Sequence, residues 1–210
     1  MIHSQTQTKS TATGTTARRL ALVLALGAAA LLAVPATGMG ATKFGAKLNR
    51  TVQPSNSLPA HSCELGMPAP CTRVSMEAYG RPDGGEKAPK DGVIDKIKLI
   101  AGGEGHFRLQ LARAKPGPEK AKIVHQGPRI DYEGQGPNWN EPYEVEKFNV
   151  NLPVHEGEYL AIKARKTSML RCSSGGPNQL LFQPALPVGG PFESADDTDG
   201  CWLLLEAIYE

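Results

Sequence analysis

Apolar side chains return at every second position in short runs along this chain. His106–Ala114 sets Phe107, Leu109 and Leu111 against Arg108 and Gln110, the period of a strand with one buried face. Phe148, Val150 and Leu152 repeat the pattern and leave Asn149 and Asn151 to water. Val93–Ala101 places Val93, Ile97 and Leu99 on one face and Ile94 and Ile100 on the other. Tyr159–Arg165 carries Leu160 and Ile162 on one side, and Arg73–Tyr79 alternates more weakly. Lys122–His125, Asn178–Gln183 and Cys201–Tyr209 complete the set, with a first short strand near Phe44–Leu48. Glycine and proline separate these runs, and the Ala101–Gly105 link fits a hairpin connection. Alternation fails only in the last run, where Trp202 through Leu205 are all large and apolar. That strand is expected to be covered on both sides.

About eight short strands, with no capped amphipathic helix beyond the N-terminal region, predict an all-β fold. A jelly-roll-like β-sandwich satisfies the pattern, because each strand then turns one face to the core and one to water. No repeat of 20–50 residues is visible, which argues against a solenoid or propeller.

The first 40 residues have a different character. A Ser/Thr/Gln-rich stretch leads to Arg18-Arg19, then to an apolar run from Leu20 to Val34, then to small residues ending at Ala41. A basic end, a short apolar stretch and a small-residue tail form the tripartite export signal. The run is shorter than the roughly 20 residues needed to span a bilayer. Cleavage is expected between Ala36 and Ala41, with retention as an anchor the alternative. The organisation predicted is a signal peptide over 1–40, an N-terminal extension or linker over 41–60, and a β-sandwich domain over 61–210. The mature protein is expected to be secreted or extracytoplasmic, in association with the cell envelope, without a stable membrane span.

Charge narrows the partners. The chain holds 23 basic and 21 acidic residues. Lys9, Arg18 and Arg19 precede residue 41 and no acid does, so the remainder carries 23 − 3 = 20 basic against 21 acidic residues. A near-neutral domain with no basic run along its sequence has no electrostatic footprint for nucleic acid.

Four cysteines, Cys63, Cys71, Cys172 and Cys201, form an even set in a chain expected to be exported, which reads as disulfides. Three pairings exist. Cys63–Cys71 and Cys172–Cys201 are expected because each pair lies within one local region. There is no CxxC pair for zinc.

Several segments share a resemblance. The string Asp91–Leu99, FRLQLARA (107–114), FNVNLPVHEGEYLAIK (148–163), LLFQPAL (180–186) and the closing WLLLEAIYE resemble a group of uncharacterised exported bacterial proteins that look like jelly-roll sandwiches. The likeness covers roughly residues 63–210. It implies fold rather than activity, and it brings no active site. Where the turn between strands often has Gly-Asp in that group, this chain has Gly157-Glu158.

Two stretches offer binding chemistry. Asp131–Tyr143 gathers Tyr132, Trp139 and Tyr143 among Asp131, Asn138 and Asn140. Flat rings suit the C–H face of a sugar, and amides and carboxylates suit its hydroxyls. A long loop on a β-scaffold is where such residues sit. These six residues are the predicted ligand site, against the plainer reading that the aromatics staple a loop to the core. Asp196, Asp197 and Asp199 offer hard oxygens for calcium, against a solvated acidic turn. Glu133, Glu144 and Glu146 raise the possibility of paired carboxylates, but close acids on one strand suit glycoside hydrolysis poorly. Ser173-Ser174-Gly175-Gly176 lacks the first glycine of a nucleophile elbow, and the histidines are scattered. The expected function is a non-catalytic binding or envelope-surface module that meets carbohydrate or another envelope component, with no required cofactor. A polysaccharide-directed hydrolase and a purely structural envelope protein are the alternatives.

Overall fold

The computed structural model describes residues 40–54, 61–63, 69–81, 84–115, 117, 119–135, 142–173 and 176–209. All lie within one compact unit, Gly38–Glu210; the expected export signal lies outside the described residues. The strands are β1 (Thr42–Gly45), β2 (His61–Ser62), β3 (Cys71–Ser75), β4 (Gly92–Leu99), β5 (Gly105–Lys115), β6 (Lys120–Tyr132), β7 (Glu146–Val154), β8 (Tyr159–Ala164), β9 (Lys166–Thr167), β10 (Leu170–Cys172), β11 (Gln179–Phe182), β12 (Glu193–Ser194), β13 (Asp197–Asp199), β14 (Cys201–Leu203) and β15 (Leu205–Tyr209). No helix among the described residues is long and apolar enough to cross a membrane.

The strands form an all-β, antiparallel fold. A four-stranded sheet runs β1-β15-β4-β7 and a seven-stranded sheet runs β12-β6-β5-β8-β3-β11-β13, with two small ribbons, β10-β14 and β2-β9. Phe44, Ile97, Leu99 and Leu205 from the smaller sheet share one core with Phe107, Leu109, Leu160 and Ile162 from the larger. The alternation of β5 works as expected here: Phe107, Leu109 and Leu111 fill the space between layers. Phe44 is fully buried, so the segment expected as an N-terminal extension contributes a strand to the smaller sheet.

The larger sheet curls. β12 and β13 are separated only by Ala195 and Asp196, yet one pairs with β6 and the other with β11, at opposite margins of the sheet. Register shifts in β5 between Arg108 and Gln110 and between Leu111 and Ala112 supply the bend, as bulges increase local twist. Inside the curl a second core of Val74, Ala112, Ile123, Ala161, Leu180 and Phe182 is closed by Leu186, whose amide donates to Thr72 Oγ1 at 3.1 Å. The sheet is therefore partly barrel-like, and both faces of its middle are buried.

Both disulfides join the expected partners, Cys63 to Cys71 and Cys172 to Cys201. Two expectations are corrected. The Ala101–Gly105 link is not a hairpin, because β4 pairs with β15 and β7 while β5 pairs with β6 and β8; the link carries the chain from one sheet to the other. A register shift between Ile94 and Lys96 reverses the phase of β4. Ile94 thereby joins Ile97 and Leu99 in the core while Val93 turns outward, 44% exposed.

Tyr209 closes the smaller sheet. Its ring meets Phe44 edge-on at 5.7 Å, and its hydroxyl donates to the Lys90 carbonyl at 3.0 Å and accepts from the Lys90 amide at 3.3 Å. Burial pushes the phenol above the ordinary value of 10.0. The folded state thus keeps a proton that the unfolded chain releases near pH 10. This contribution is complete below that pH and is lost as pH rises through the folded value. Tyr209→Phe should cost about 1 kcal/mol at neutral pH and should flatten the fall of stability above pH ~10, as read by urea unfolding across pH 8–11. An unchanged slope would contradict the assignment.

Candidate functional site

An opening of about 650 Å³ lies where the chain leaves β3. Met76, Glu77, Tyr79, Arg81, Glu86 and Trp202 line it, together with the backbone at Gly80 and Gly84. A neighbouring hollow of about 580 Å³ shares Gly80, Arg81 and Gly84 and adds Lys43, Lys47 and Lys87. The two meet at these shared residues, a groove beside residues 76–81 and 84.

The loop is held from below. The Met76 amide at 2.9 Å and the Glu77 amide at 3.3 Å both donate to the Asn178 carbonyl. The Asn178 side chain in turn donates to the Gly200 carbonyl at 3.1 Å, so the loop is tied to the turn before Trp202. Gly80 and Gly84 have positive φ values of 72° and 77°, a backbone open to glycine at no steric cost. A Cβ on Gly85 would run into the Arg81 side chain, so that glycine lets the guanidinium lie across the groove floor.

Trp202 is only partly buried, unlike Leu203, Leu204 and Leu205, which are nearly sealed. The expectation of a strand covered on both sides holds for the leucines and not for the tryptophan. Trp202 sits opposite Arg171 in the β10-β14 ribbon. Its ring meets Tyr79 at 5.5 Å and 67°, and the Arg171 guanidinium lies 5.1 Å from the centre of the Tyr79 ring. Arg171 itself donates to the Gln53 carbonyl at 2.7 Å. Ring and guanidinium are thus fixed in place before any ligand arrives.

Beneath the groove lies a buried acid. Glu206, 4% exposed, accepts from Arg81 at 3.2 Å and from Lys98 at 3.4 Å. Arg81 also donates from Nε to the Gly45 carbonyl at 2.8 Å. A carboxylate out of water needs such partners, since an unpaired one is costly. The pairing also sets the angle at which Arg81 faces the opening.

Of the six residues predicted as a ligand site, the structure describes Asp131, Tyr132 and Tyr143. Asn138, Trp139 and Asn140 lie outside the described residues. Tyr132 ends β6 and packs on Phe107 at 6.1 Å, with its hydroxyl 3.4 Å from the Ser168 Oγ. Tyr143 is buried beside Val52, Ile100 and Leu204. Both tyrosine rings are core, the stapling role, and they offer no face to a ligand. Asp131 is exposed and ion-paired with Arg129 at 2.8 Å, which holds its carboxyl below the usual range. Glu146 is occupied too, accepting from the Glu133 and Gly134 amides at 3.0 and 2.9 Å.

The three aspartates predicted for calcium have separate partners. Asp196 accepts from the Gln183 amide at 2.7 Å and Asp197 from the Thr198 amide at 2.8 Å. Asp199 accepts from buried Arg73 at 2.6 Å and from the Cys201 amide at 3.0 Å. They serve as turn and pairing groups. Among the described residues no three His, Cys, Asp or Glu side chains come together in a way that could hold a metal ion.

No known protein family, curated protein or solved structure matches the chain. The groove therefore has to be judged on its own chemistry.

Glu206→Gln should lower stability by about 2 kcal/mol, because two cations lose their buried acid. Combined with Arg81→Met in a double-mutant cycle, it should show a coupling of about 1 kcal/mol or more. Additive losses would mean that the pair does not act as a unit.

Proposed function

We propose that this chain is an exported, non-catalytic binding module that holds a carbohydrate in the groove between Tyr79, Arg81 and Trp202. One observation carries the reading: a part-buried tryptophan lines a cavity of about 650 Å³ beside Tyr79, with two carboxylates, a guanidinium and glycine backbone among its other walls. A sugar presents a C–H face to an aromatic ring and hydroxyls to planar acceptors and donors. Glu77, Glu86 and Arg81 offer both kinds of partner. The ring is braced by Tyr79 and the arginine by Glu206, so little freedom remains to be lost on binding.

The tripartite N-terminal sequence supports an extracytoplasmic location, and two disulfides suit an oxidising compartment. Kinship with exported jelly-roll proteins belongs to the same proposal; packed antiparallel layers with a curled sheet are compatible with it.

Hydrolysis is the second reading, and a specific observation favours it: Glu77 and Glu86 both line the groove. A glycosidase works with two carboxylates flanking the bond.

Glycan-array screening followed by calorimetry tests the first reading. Wild-type protein should bind at least one polysaccharide, and Trp202→Ala should weaken that binding about thirtyfold, the loss of a central aromatic anchor of ~2 kcal/mol. Absence of any binding by the wild type would end the proposal. Release of reducing ends in the same mixtures, abolished in Glu77→Gln or Glu86→Gln, would replace it with the second reading.

A further inference from the structure

The face of the larger sheet that turns away from the smaller sheet carries a row of cations that strand pairing assembles from distant parts of the sequence. Arg108 on β5 lies directly opposite Arg129 on β6 and opposite Lys163 on β8. Three positive side chains therefore stand side by side across three adjacent strands, about 4.8 Å apart from strand to strand. His106, two residues along β5, stands opposite Asp131, and Arg165 follows the end of β8. A shallow cavity of about 200 Å³ lies among Pro70, His106, Arg108, Arg129, Lys163 and Arg165. A second of about 300 Å³ continues from His106 and Arg165 to Lys166 and Glu104.

Asp131 is paired with Arg129. Among the described residues Arg108, Lys163 and Arg165 have no ion pair. Like charges directly opposite on neighbouring strands are destabilising, so the apo sheet holds a repulsion that a bound anion relieves. Guanidinium groups give paired N–H donors to carboxylate or sulfate.

We infer that this cation row is a second binding surface, separate from the Trp202 groove, for an acidic polysaccharide bearing carboxylate or sulfate groups. The lining presents cations on a shallow shelf and no open aromatic face; Phe107, its one ring beside His106, is 1% exposed. Single-stranded nucleic acid is held by exposed rings as well as by charge, and among the described residues no such ring lines either cavity. A chain of acidic sugars needs only anions displayed at intervals, which the row matches. The two surfaces lie at opposite ends of β3, one beside Pro70 and the other from Met76 onward. They are therefore open to separate tests.

The experiment is calorimetry of the full chain with polygalacturonate, dextran sulfate, neutral dextran and a single-stranded oligonucleotide, each at 20 and 300 mM salt. Binding to polygalacturonate or to dextran sulfate, weakened at least tenfold by salt, is expected, and which of the two binds identifies the acidic group. Arg108→Gln/Lys163→Gln should lose at least tenfold in that affinity. Its thermal midpoint should be unchanged or raised, since both side chains reach solvent and the substitutions remove repulsion. Trp202→Ala should leave acidic-polymer binding unchanged, which distinguishes this surface from the groove. No binding to either acidic polymer, an unaffected double variant, or tighter binding to the oligonucleotide would overturn the inference.

Discussion

Leu203, Leu204 and Leu205 are each at most 1% exposed, and they point to different cores. Leu203 and Leu205 enter the space between the two sheets, while Leu204 turns to the far side and meets Val52, Ile100 and Tyr143. Removing both sides of one strand from water contributes roughly 1.5–3 kcal/mol per leucine, upper values because unfolded chains already hide some surface. β15 then lies between β1 and β4 as an inner strand of the smaller sheet, and β14 is tied to β10 by pairing and by the Cys172–Cys201 disulfide. Every feature of the groove hangs from this one run of chain. Trp202 precedes the leucines and Glu206 follows them. The first provides the open ring, and the second anchors the arginine that faces it.

The same constraint explains how a partly exposed tryptophan can be held still. Its backbone belongs to a strand whose neighbours are sealed, and its ring is backed by Tyr79, over which the Arg171 guanidinium lies in turn. Rigidity of this kind suits recognition, because few rotamers are surrendered when a ligand arrives. The curled sheet plays a parallel part on the other side of the molecule. Its second core, closed by Leu186, covers one portion of the face turned away from the smaller sheet and leaves the Arg108–Lys163 portion open.

Much of this architecture was legible in residue order. Phe107, Leu109 and Leu111 alternate on β5 and do fill the core, and short cysteine spacings pointed to the observed disulfides. Phase was harder to read. Nothing in VIDKIKL marks the register shift after Ile94, so Val93 was expected to share a face with Ile97 and Leu99. Aromatic density was misleading in another way. Tyr132 and Tyr143 belong to a stretch, Asp131–Tyr143, that reads as a binding loop, yet each of these two rings is buried. The groove residues escaped notice for the opposite reason. Tyr79, Arg81 and Trp202 are distant in sequence, and Trp202 stands at the head of an apolar run that reads as core. Its one signal was position: the first residue of such a run, beside a cysteine and a glycine, sits where a strand emerges. The cation row was invisible for a similar cause. Arg108, Arg129 and Lys163 meet only through pairing across β6, β5 and β8, and overall charge is near neutral.

Native-state hydrogen exchange across residues 203–209 tests the central claim most directly. If the doubly covered C-terminal strand holds the layers together, the Leu204 amide, bonded to the Met169 carbonyl at 2.8 Å, and the ladder amides of β15 should exchange only through global unfolding, with the largest protection in the chain. Exchange of these amides by local opening, while those of β5 and β8 stay protected, would contradict it.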